Sequence, residues 1–458
     1  MAIRGVGRDG HEFVPTVIAS GAAAIVVDRE ISPPSGVAVV RVSNTRVALA
    51  KLAAAFHGLR GGTEPALRII GITGTNGKTT VAWLLRSILQ AADQPTALLG
   101  TVEYDLVCER RSSPLTTPGA IELCRNLATA RGAGATQAVL EVSSHALDQR
   151  RCDGLAFAAG VYTNLTGDHL DYHKTMDAYF AAKRRLFEML DPSAVAVVNM
   201  DDSMGEFVVK SSPAKVVSYG LNSSTAEVRA DIGAMDRHGT AFLLRGRSLE
   251  LPIRSPLIGL HNVLNAIAAA ATAEALGIAP EAIRKGLEQV RGVPGRLQRA
   301  EPPGWPYSVF VDYAHTDDAL GHVLRTLRSL TTGKLRCVFG CGGDRDRTKR
   351  PRMAAVVGNL ADVAYVTSDN PRTEDPHAII DDILRGLSPA HACRIVVNVD
   401  RRRAIESALT DSQAGDTVLI AGKGHETYQL VGGRVLPFDD VEVARNWMDA
   451  VALMEDVA

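Results

Sequence analysis

The segment GITGTNGKTT, residues 71–80, places three glycines, a lysine and consecutive threonines between an apolar run and a helical pattern. That order suits phosphate binding. Glycines admit a tight turn, backbone N–H groups from Thr75 to Lys78 can face an anion, Lys78 can neutralise terminal phosphates, and Thr79 can ligate magnesium. A turn that merely capped a helix would not need lysine and threonine there. The strict phosphate-loop pattern would require glycine at 72, which is Ile72.

Two more polar clusters follow apolar runs. EVSSHALDQRR (141–151) groups two acids, two hydroxyls, a histidine and two arginines, and TNLTGDHLDYH (163–173) groups Asp168, His169, Asp171 and His173. Either alone would read as a solvated loop. Beside a phosphate loop, the pair predicts a magnesium-phosphate site. Further on, FGCGGDRDRTKRP (339–351) and TSDNPRTEDP (367–376) set arginines in the same relation to apolar runs, and AGKGHETYQ (421–429) adds Gly422, His425 and Glu426.

These clusters need elements to hold them. ALRIIGIT (66–73), TQAVLEVS (136–143), FAAGVYTNL (157–165) and AVAVVNMD (194–201) read as buried strands, and Val81, Leu84, Leu85, Ile88 and Leu89 fall on one helical face. The last third repeats the theme with strands at 308–315, 335–343, 362–370, 394–400 and 417–424, separated by helices such as 317–330 and 377–387. Strand-helix alternation predicts doubly wound, mostly parallel sheets, whose ligands bind beyond the carboxyl ends of the strands. Near the start, apolar segments 22–30 and 37–43 flank a turn signal at 32–36, and a helix over 45–59 leads to a linker at 60–65. The alanine-rich stretch 266–275 reads as a packed helix.

A chain of 458 residues suggests about three domains. Its 50 basic and 51 acidic side chains offer no general pull toward nucleic acid or anionic membrane. The six cysteines, at 108, 124, 152, 337, 341 and 393, show no zinc spacing and read as reduced thiols. No signal core or membrane-length apolar run is present, so the expectation is a cytoplasmic protein, monomeric by default.

The GTNGKTT variant and the clusters after it resemble the Mur ligase superfamily through almost the whole chain. The resemblance implies an α/β fold of three domains: a short, truncated N-terminal α/β uridine-binding domain (1–64), a central ATPase-like phosphate-loop domain with a parallel sheet (65–294) and a C-terminal Rossmann-like domain that binds the amino acid (295–458). It implies ATP contacts from Gly74, Thr75, Asn76, Gly77, Lys78, Thr79, Thr80, Asn262, Arg296, Asp312 and His315. Catalytic roles fall to Lys78, Glu141, His169 and Lys183. Magnesium falls to Thr79, Glu141, His169 and a carbamate formed by CO2 on Lys183, which by sequence alone would be one more exposed helix lysine.

The same resemblance assigns a UDP-muramoyl-peptide substrate to Thr116, Thr117, Ser143, Gln149 and Arg151. It assigns meso-diaminopimelate to Arg345, Asp369, Asn370, Pro371, Arg372, Gly422 and Glu426, because DNPR is the signature of members that accept this amino acid. Chemistry agrees, since the distal carboxylate of diaminopimelate suits the bidentate fork of Arg372, whereas lysine offers only an ammonium there. The implied reaction forms an acyl phosphate with ATP and then an amide. Alternatives are a relative that adds lysine or glutamate, and a catalytically impaired binder of the same fold. Gln298 stands where the family usually has Glu, and Asp317 where it usually has Pro. The chain is expected to begin beyond a DSR-like uridine motif, with DGHEF (9–13) retained.

Overall fold

The computed structural model describes all residues except 6, 33–35, 60–66, 389–391 and 456–458. The linker expected at 60–65 and most of the turn signal at 32–36 lie outside the described residues.

Apolar runs without alternation become strands buried on both faces. Arg68–Thr73, Thr96–Leu99, Gln137–Glu141, Phe157–Tyr162, Val195–Asn199 and Lys215–Tyr219 all pair in parallel. The order across the eight-stranded sheet begins at Lys215–Tyr219 and ends in an antiparallel hairpin, Glu103–Asp105 with Arg110–Ser112. Helices Lys78–Ala91, Leu260–Ala275 and Pro280–Gln289 pack on one face, and Thr45–Phe56, Ala120–Gly132 and Met176–Glu188 on the other.

The helix Leu260–Ala275 has no outward face from Ile267 to Ala273. Every residue from Ile267 to Ala273 is 0% exposed, and Thr272 satisfies its hydroxyl on the Ala268 carbonyl at 2.7 Å. A Cβ on Gly286 would lie 2.4 Å from Ile88 Cα, so glycine is what lets the helices Pro280–Gln289 and Lys78–Ala91 approach.

The sequence reading missed a three-stranded antiparallel sheet, Arg229–Asp236, Gly239–Arg245 and Glu250–Ser255. Its strands bury one face only, with Phe242, Leu244, Leu251 and Ile253 against the helical layer, and the first strand shifts register between Ile232 and Met235. One-sided strands present a weak apolar signal.

The later sheet orders Gln298–Arg299, Ser308–Asp312, Thr417–Ala421, Leu335–Phe339, Val363–Val366 and Arg394–Val397, parallel except at the first pair. Asp317–Leu330, Lys349–Leu360 and Pro376–Leu384 cover one face, and Arg401–Thr410 and Asp440–Glu455 the other. Most expected strands ran several residues too far, because their polar ends are loops that carry the clusters.

Beneath those loops lies a fully buried ion pair. Arg401 donates to Asp440 at 2.8 and 2.7 Å and to the carbonyls of Ser368 and Ala421, joining two strand ends. Removing one partner strands a buried charge, so Arg401→Met or Asp440→Leu alone is expected to lower stability by about 3–5 kcal/mol. The double variant should lose less than either single one, since it strands neither charge. Urea unfolding of the three variants checks this; additive losses would refute it.

Candidate functional site

The loop after Arg68–Thr73 is shaped by its glycines and by the loop after Phe157–Tyr162. Gly77 has φ 88°, and a Cβ there would fall 2.4 Å from Asn265 Oδ1; a Cβ on Gly74 would fall 1.8 Å from Thr163 Oγ1. Asn164 accepts from Asn76 N through its side chain at 2.9 Å and from Thr75 N through its carbonyl at 2.9 Å. Thr163 Oγ1 donates to the Asn76 carbonyl at 2.6 Å. This corrects one expectation. The N–H groups of Thr75 and Asn76 are engaged by Asn164, and those of the helix start at Lys78 remain for an anion.

Lys78 Nζ donates to the carbonyls of Gly74 and Thr75, both at 2.8 Å, and burial pulls its pKa down. Thr79 Oγ1 donates to Glu141 Oε2 at 2.8 Å. Glu141, 1% exposed at the end of Gln137–Glu141, also accepts from Thr101 N and Thr101 Oγ1 at 2.8 and 2.9 Å.

Lys183 is not an exposed helix lysine. It is 1% exposed, and its Nζ donates to the same Gly74 carbonyl at 2.7 Å and lies 4.5 Å from the Tyr179 ring centre. Desolvation, with Lys78 as a like charge nearby, holds its pKa well below that of a free lysine. His169 sits at φ 55° just before the helix Leu170–His173, its ring 4.8 Å from that of His145 and its Nε2 3.5 Å from Asp168. Burial lowers the His169 pKa as well.

A cavity of about 590 Å³ gathers Thr75, Asn76, Gly77, Lys78, Thr79, Thr80, Glu141, His169 and Lys183 with Asn262, Arg296, Asp312 and His315 from the chain's later elements. Arg296 lies across the seam, its Nη2 3.4 Å from Thr79 Oγ1 and its guanidinium 4.7 Å from the centre of the Tyr313 ring. Asp312 accepts from Leu297 N and Ala314 N, and burial raises its pKa. His315 Nδ1 lies 2.7 Å from the Tyr313 carbonyl, and burial lowers its pKa. Asn262 donates to the Ile258 carbonyl and accepts from Asn265. The unusual Gln298 accepts from Gly295 N at 2.8 Å, and Asp317 opens its helix at the position where proline is also tolerated. Both substitutions preserve local structure.

Thr116, Thr117, Ser143, Gln149 and Arg151 form one chain of contacts. Thr116 Oγ1 meets Thr101 Oγ1 at 3.1 Å, and Thr117 Oγ1 donates to the Glu141 carbonyl at 2.7 Å and accepts from Ser143 N. Arg151 donates to the Thr117 carbonyl at 2.6 Å and to Gln149 Oε1 at 2.8 Å. Thr116 and Ser143 line the large cavity, whereas Thr117, Gln149 and Arg151 do not.

The third group lies apart from that cavity, on loops after the neighbouring strands Leu335–Phe339, Val363–Val366 and Thr417–Ala421. Asp369 and Asn370 are buried, and Asn370 Nδ2 donates to Glu426 Oε2 at 2.8 Å. Lys423, 0% exposed, donates to both Asn370 Oδ1 and Glu426 Oε2 at 3.2 Å. A Cβ on Gly422 would lie 2.6 Å from Asp369 Oδ2, and Pro371 packs its carbonyl on Gly343. Arg372 Nη1 donates to the Gly343 carbonyl at 2.7 Å. Arg345 is exposed on the same loop cluster.

Sequence reasoning had not singled out Thr101, Thr163, Asn164, Tyr179, Asn265, Lys423 or Gln429 as functional. Asn164 was within reach, being in the strand-end cluster that drew attention to Asp168. Asn265 lies three residues after Asn262 on one helix face.

Comparison with known proteins gives consistent results. The family model for the Mur ligase middle domain matches residues 72–273, and that for the Mur ligase glutamate ligase domain matches residues 295–424. A protein of Geobacter metallireducens named UDP-N-acetylmuramoyl-L-alanyl-D-glutamate–2,6-diaminopimelate ligase is 43% identical, covering 96% of this chain and 89% of the relative. One of the same name from Trichormus variabilis is 45% identical at the same coverage. A solved structure of a ligase so named superposes with a TM-score of 0.70 and 37% identity, over 97% of this chain and 90% of the other.

Proposed function

The chain belongs to the Mur ligase family, and from that premise we propose that it is the ATP-dependent ligase that adds meso-diaminopimelate to UDP-N-acetylmuramoyl-L-alanyl-D-glutamate in peptidoglycan precursor synthesis. The carrying observation is the third loop cluster, where Arg372 and the acids Asp369 and Glu426 are held on adjoining strand ends. That charge set matches an amino acid whose far end bears both carboxylate and ammonium. In this reading residues 1–64, 65–294 and 295–458 are the uridine, nucleotide and amino-acid domains.

In the reaction, the terminal carboxylate of the acceptor peptide attacks the γ-phosphorus of ATP, and ADP leaves with the electrons of the broken bond. The amine of diaminopimelate then attacks the acyl carbon, the tetrahedral adduct expels phosphate, and the amine gives up a proton as the amide forms. The chain supplies position and charge. Lys78 and the first turn of its helix hold the β- and γ-phosphates, Arg296 approaches from the opposite wall, and the Thr116–Arg151 set holds the acceptor. Asn262, Asp312 and His315 line the remainder of the nucleotide cavity.

The residues fit a magnesium ion. Glu141 offers a buried carboxylate beside the Thr79 hydroxyl, and His169, with its lowered pKa, offers a neutral imidazole. Among the described residues no group of three or more acidic, histidine or cysteine side chains forms a metal site alone, which suits an ion also held by nucleotide phosphates. Magnesium bound there would offset charge on the transferring phosphoryl group. Lys183 would complete the set as a carbamate, since burial favours the neutral amine that reacts with CO2. All six cysteines are free, and no helix among the described residues is long and apolar enough to cross a membrane. Both features suit the cytoplasm, where ATP and the uridine-linked precursor are met.

Phosphate release from ATP with the acceptor dipeptide tests the reading. Release is expected with meso-diaminopimelate and, with lysine, at a kcat/KM lower by about 100-fold, the order set by a lost charge-paired contact. Equal rates with lysine would overturn the amino-acid assignment, and no release with either would overturn the activity.

A further inference from the structure

Arg372 adopts φ 54°, a left-handed backbone that a long side chain seldom takes. Local sequence does not impose it, because neither neighbour is glycine. What imposes it is the hairpin formed by Tyr428–Val431 and Arg434–Pro437, turned by Gly432 and Gly433 at φ 55° and 77°. Arg372 N donates to the Leu430 carbonyl at 2.9 Å, and Gly432 N donates to the Arg372 carbonyl at 2.8 Å. Arg372 thereby forms a single parallel bridge with Val431.

Two more bonds clamp the residues just before it. Gln429 Nε2 donates to the Asp369 carbonyl at 2.6 Å, and Leu430 N donates to Asn370 Oδ1 at 2.9 Å. That second bond fixes which way the Asn370 amide faces, with its oxygen toward Lys423 and its nitrogen toward Glu426. The hairpin has little core of its own, since Val435 and Leu436 are 66% and 44% exposed. Its hydrogen bonds to 369–372 are therefore a principal tie to the body of the protein. A side chain in a left-handed backbone points away from its strand direction, which carries the guanidinium to the Gly343 carbonyl at 2.7 Å instead of along the hairpin.

We propose that the 428–437 hairpin sets amino-acid specificity by holding the 369–372 loop in the conformation that aims Arg372, and that Gln429 is its positioning residue. Gln429 touches neither nucleotide nor acceptor groups. It acts on the amino acid through Asp369 and Arg372, and the proposal rests on the amino-acid reading given above. Because the device holds a direction and supplies no charge of its own, its loss should appear in recognition of the amino acid and spare the nucleotide.

Gln429→Leu and Gln429→Glu both keep the side-chain volume and remove the donor. In the full-length enzyme each is expected to raise KM for meso-diaminopimelate about tenfold and to lower the diaminopimelate-to-lysine ratio of kcat/KM by a similar factor, as loss of one partly buried hydrogen bond implies. KM for ATP should stay within about twofold and the melting temperature within a few degrees. Unchanged KM and ratio in the leucine variant would overturn the proposal, as would an equal fall in kcat for both amino acids. If the unmodified enzyme prefers lysine, the amino-acid assignment falls instead, and the hairpin is judged by the same KM shift with lysine.

Discussion

Lys183→Met is expected to reduce phosphate release by about a thousandfold or more while leaving the fold as stable as the parent, or more so. The two effects have one cause. Lys183 and Lys78 donate to the same Gly74 carbonyl, Lys183 is 1% exposed, and it forms no ion pair with a carboxylate among the described residues. A protonated amine there is a buried charge with no carboxylate in direct contact; burial depresses its pKa, and the pull of Asp168 is too weak to offset that. Between the depressed folded value and the ordinary value near about 10.4, the unfolded chain binds the extra proton, so the parent gains stability as pH rises through that window. Below it the penalty is complete, and above it no penalty remains. Methionine removes the penalty and with it the pH slope. Melting in CO2-free buffer from neutral to alkaline pH should show the variant ahead at neutral pH and the curves converging at high pH. Activity above a tenth of the parent's would refute the catalytic assignment, and a parallel pair of melting curves would refute the electrostatic account. A ¹³C resonance from labelled bicarbonate, present in the parent and absent in the variant, would identify the carbamate directly.

Arg372→Ala should lower kcat/KM for meso-diaminopimelate by about 100-fold, since truncating one member of a hydrogen-bonded charge pair typically removes a few kcal/mol. Arg372→Lys keeps the charge but not the planar fork, and should recover only part of the loss. Lysine as substrate should respond in the opposite direction. Its distal ammonium meets the guanidinium as a like charge, so removing the guanidinium eases entry. The test is the ratio of specificity constants for the two amino acids. A fall of equal size with both would mean that Arg372 supports the fold of the loop and does not read the substrate.

The sequence made the strand-end chemistry legible for a physical reason. In parallel sheets the apolar strand is a continuous run, and the polar residues that follow it are delivered to one edge. The roles of Glu141, Asp369 and Gly422 came from the family resemblance, while the phosphate loop and the clusters that hold those three residues were located in this way. The antiparallel pieces were not, because Arg229–Asp236 is mostly exposed and irregular and the hairpin Glu103–Ser112 is short and charged. Residues that act at a distance in the chain were also hidden. Asn164 meets Asn76 across 88 positions and Gln429 meets Asp369 across 60, and nothing local in either stretch announces the partner. Lys183 was the extreme case, an unremarkable amphipathic lysine whose burial arises only when its helix is laid against the Gly74 turn.

The helix Leu260–Ala275 bears on how this chain can change over evolutionary time. From Ile267 to Ala273 each side chain is enclosed, and in five of those seven positions it is a single methyl group. A methyl that is touched on every side cannot grow, because one added carbon overpacks a site that has no solvent to expand into. It can shrink only to glycine, which loosens the helix. Conservative swaps that an exposed helix tolerates, such as alanine to valine, therefore cost about 1–3 kcal/mol each along this stretch. The stretch leads from Asn262 and Asn265 at the nucleotide cavity, so a segment of very plain composition carries a narrow mutational freedom close to the site.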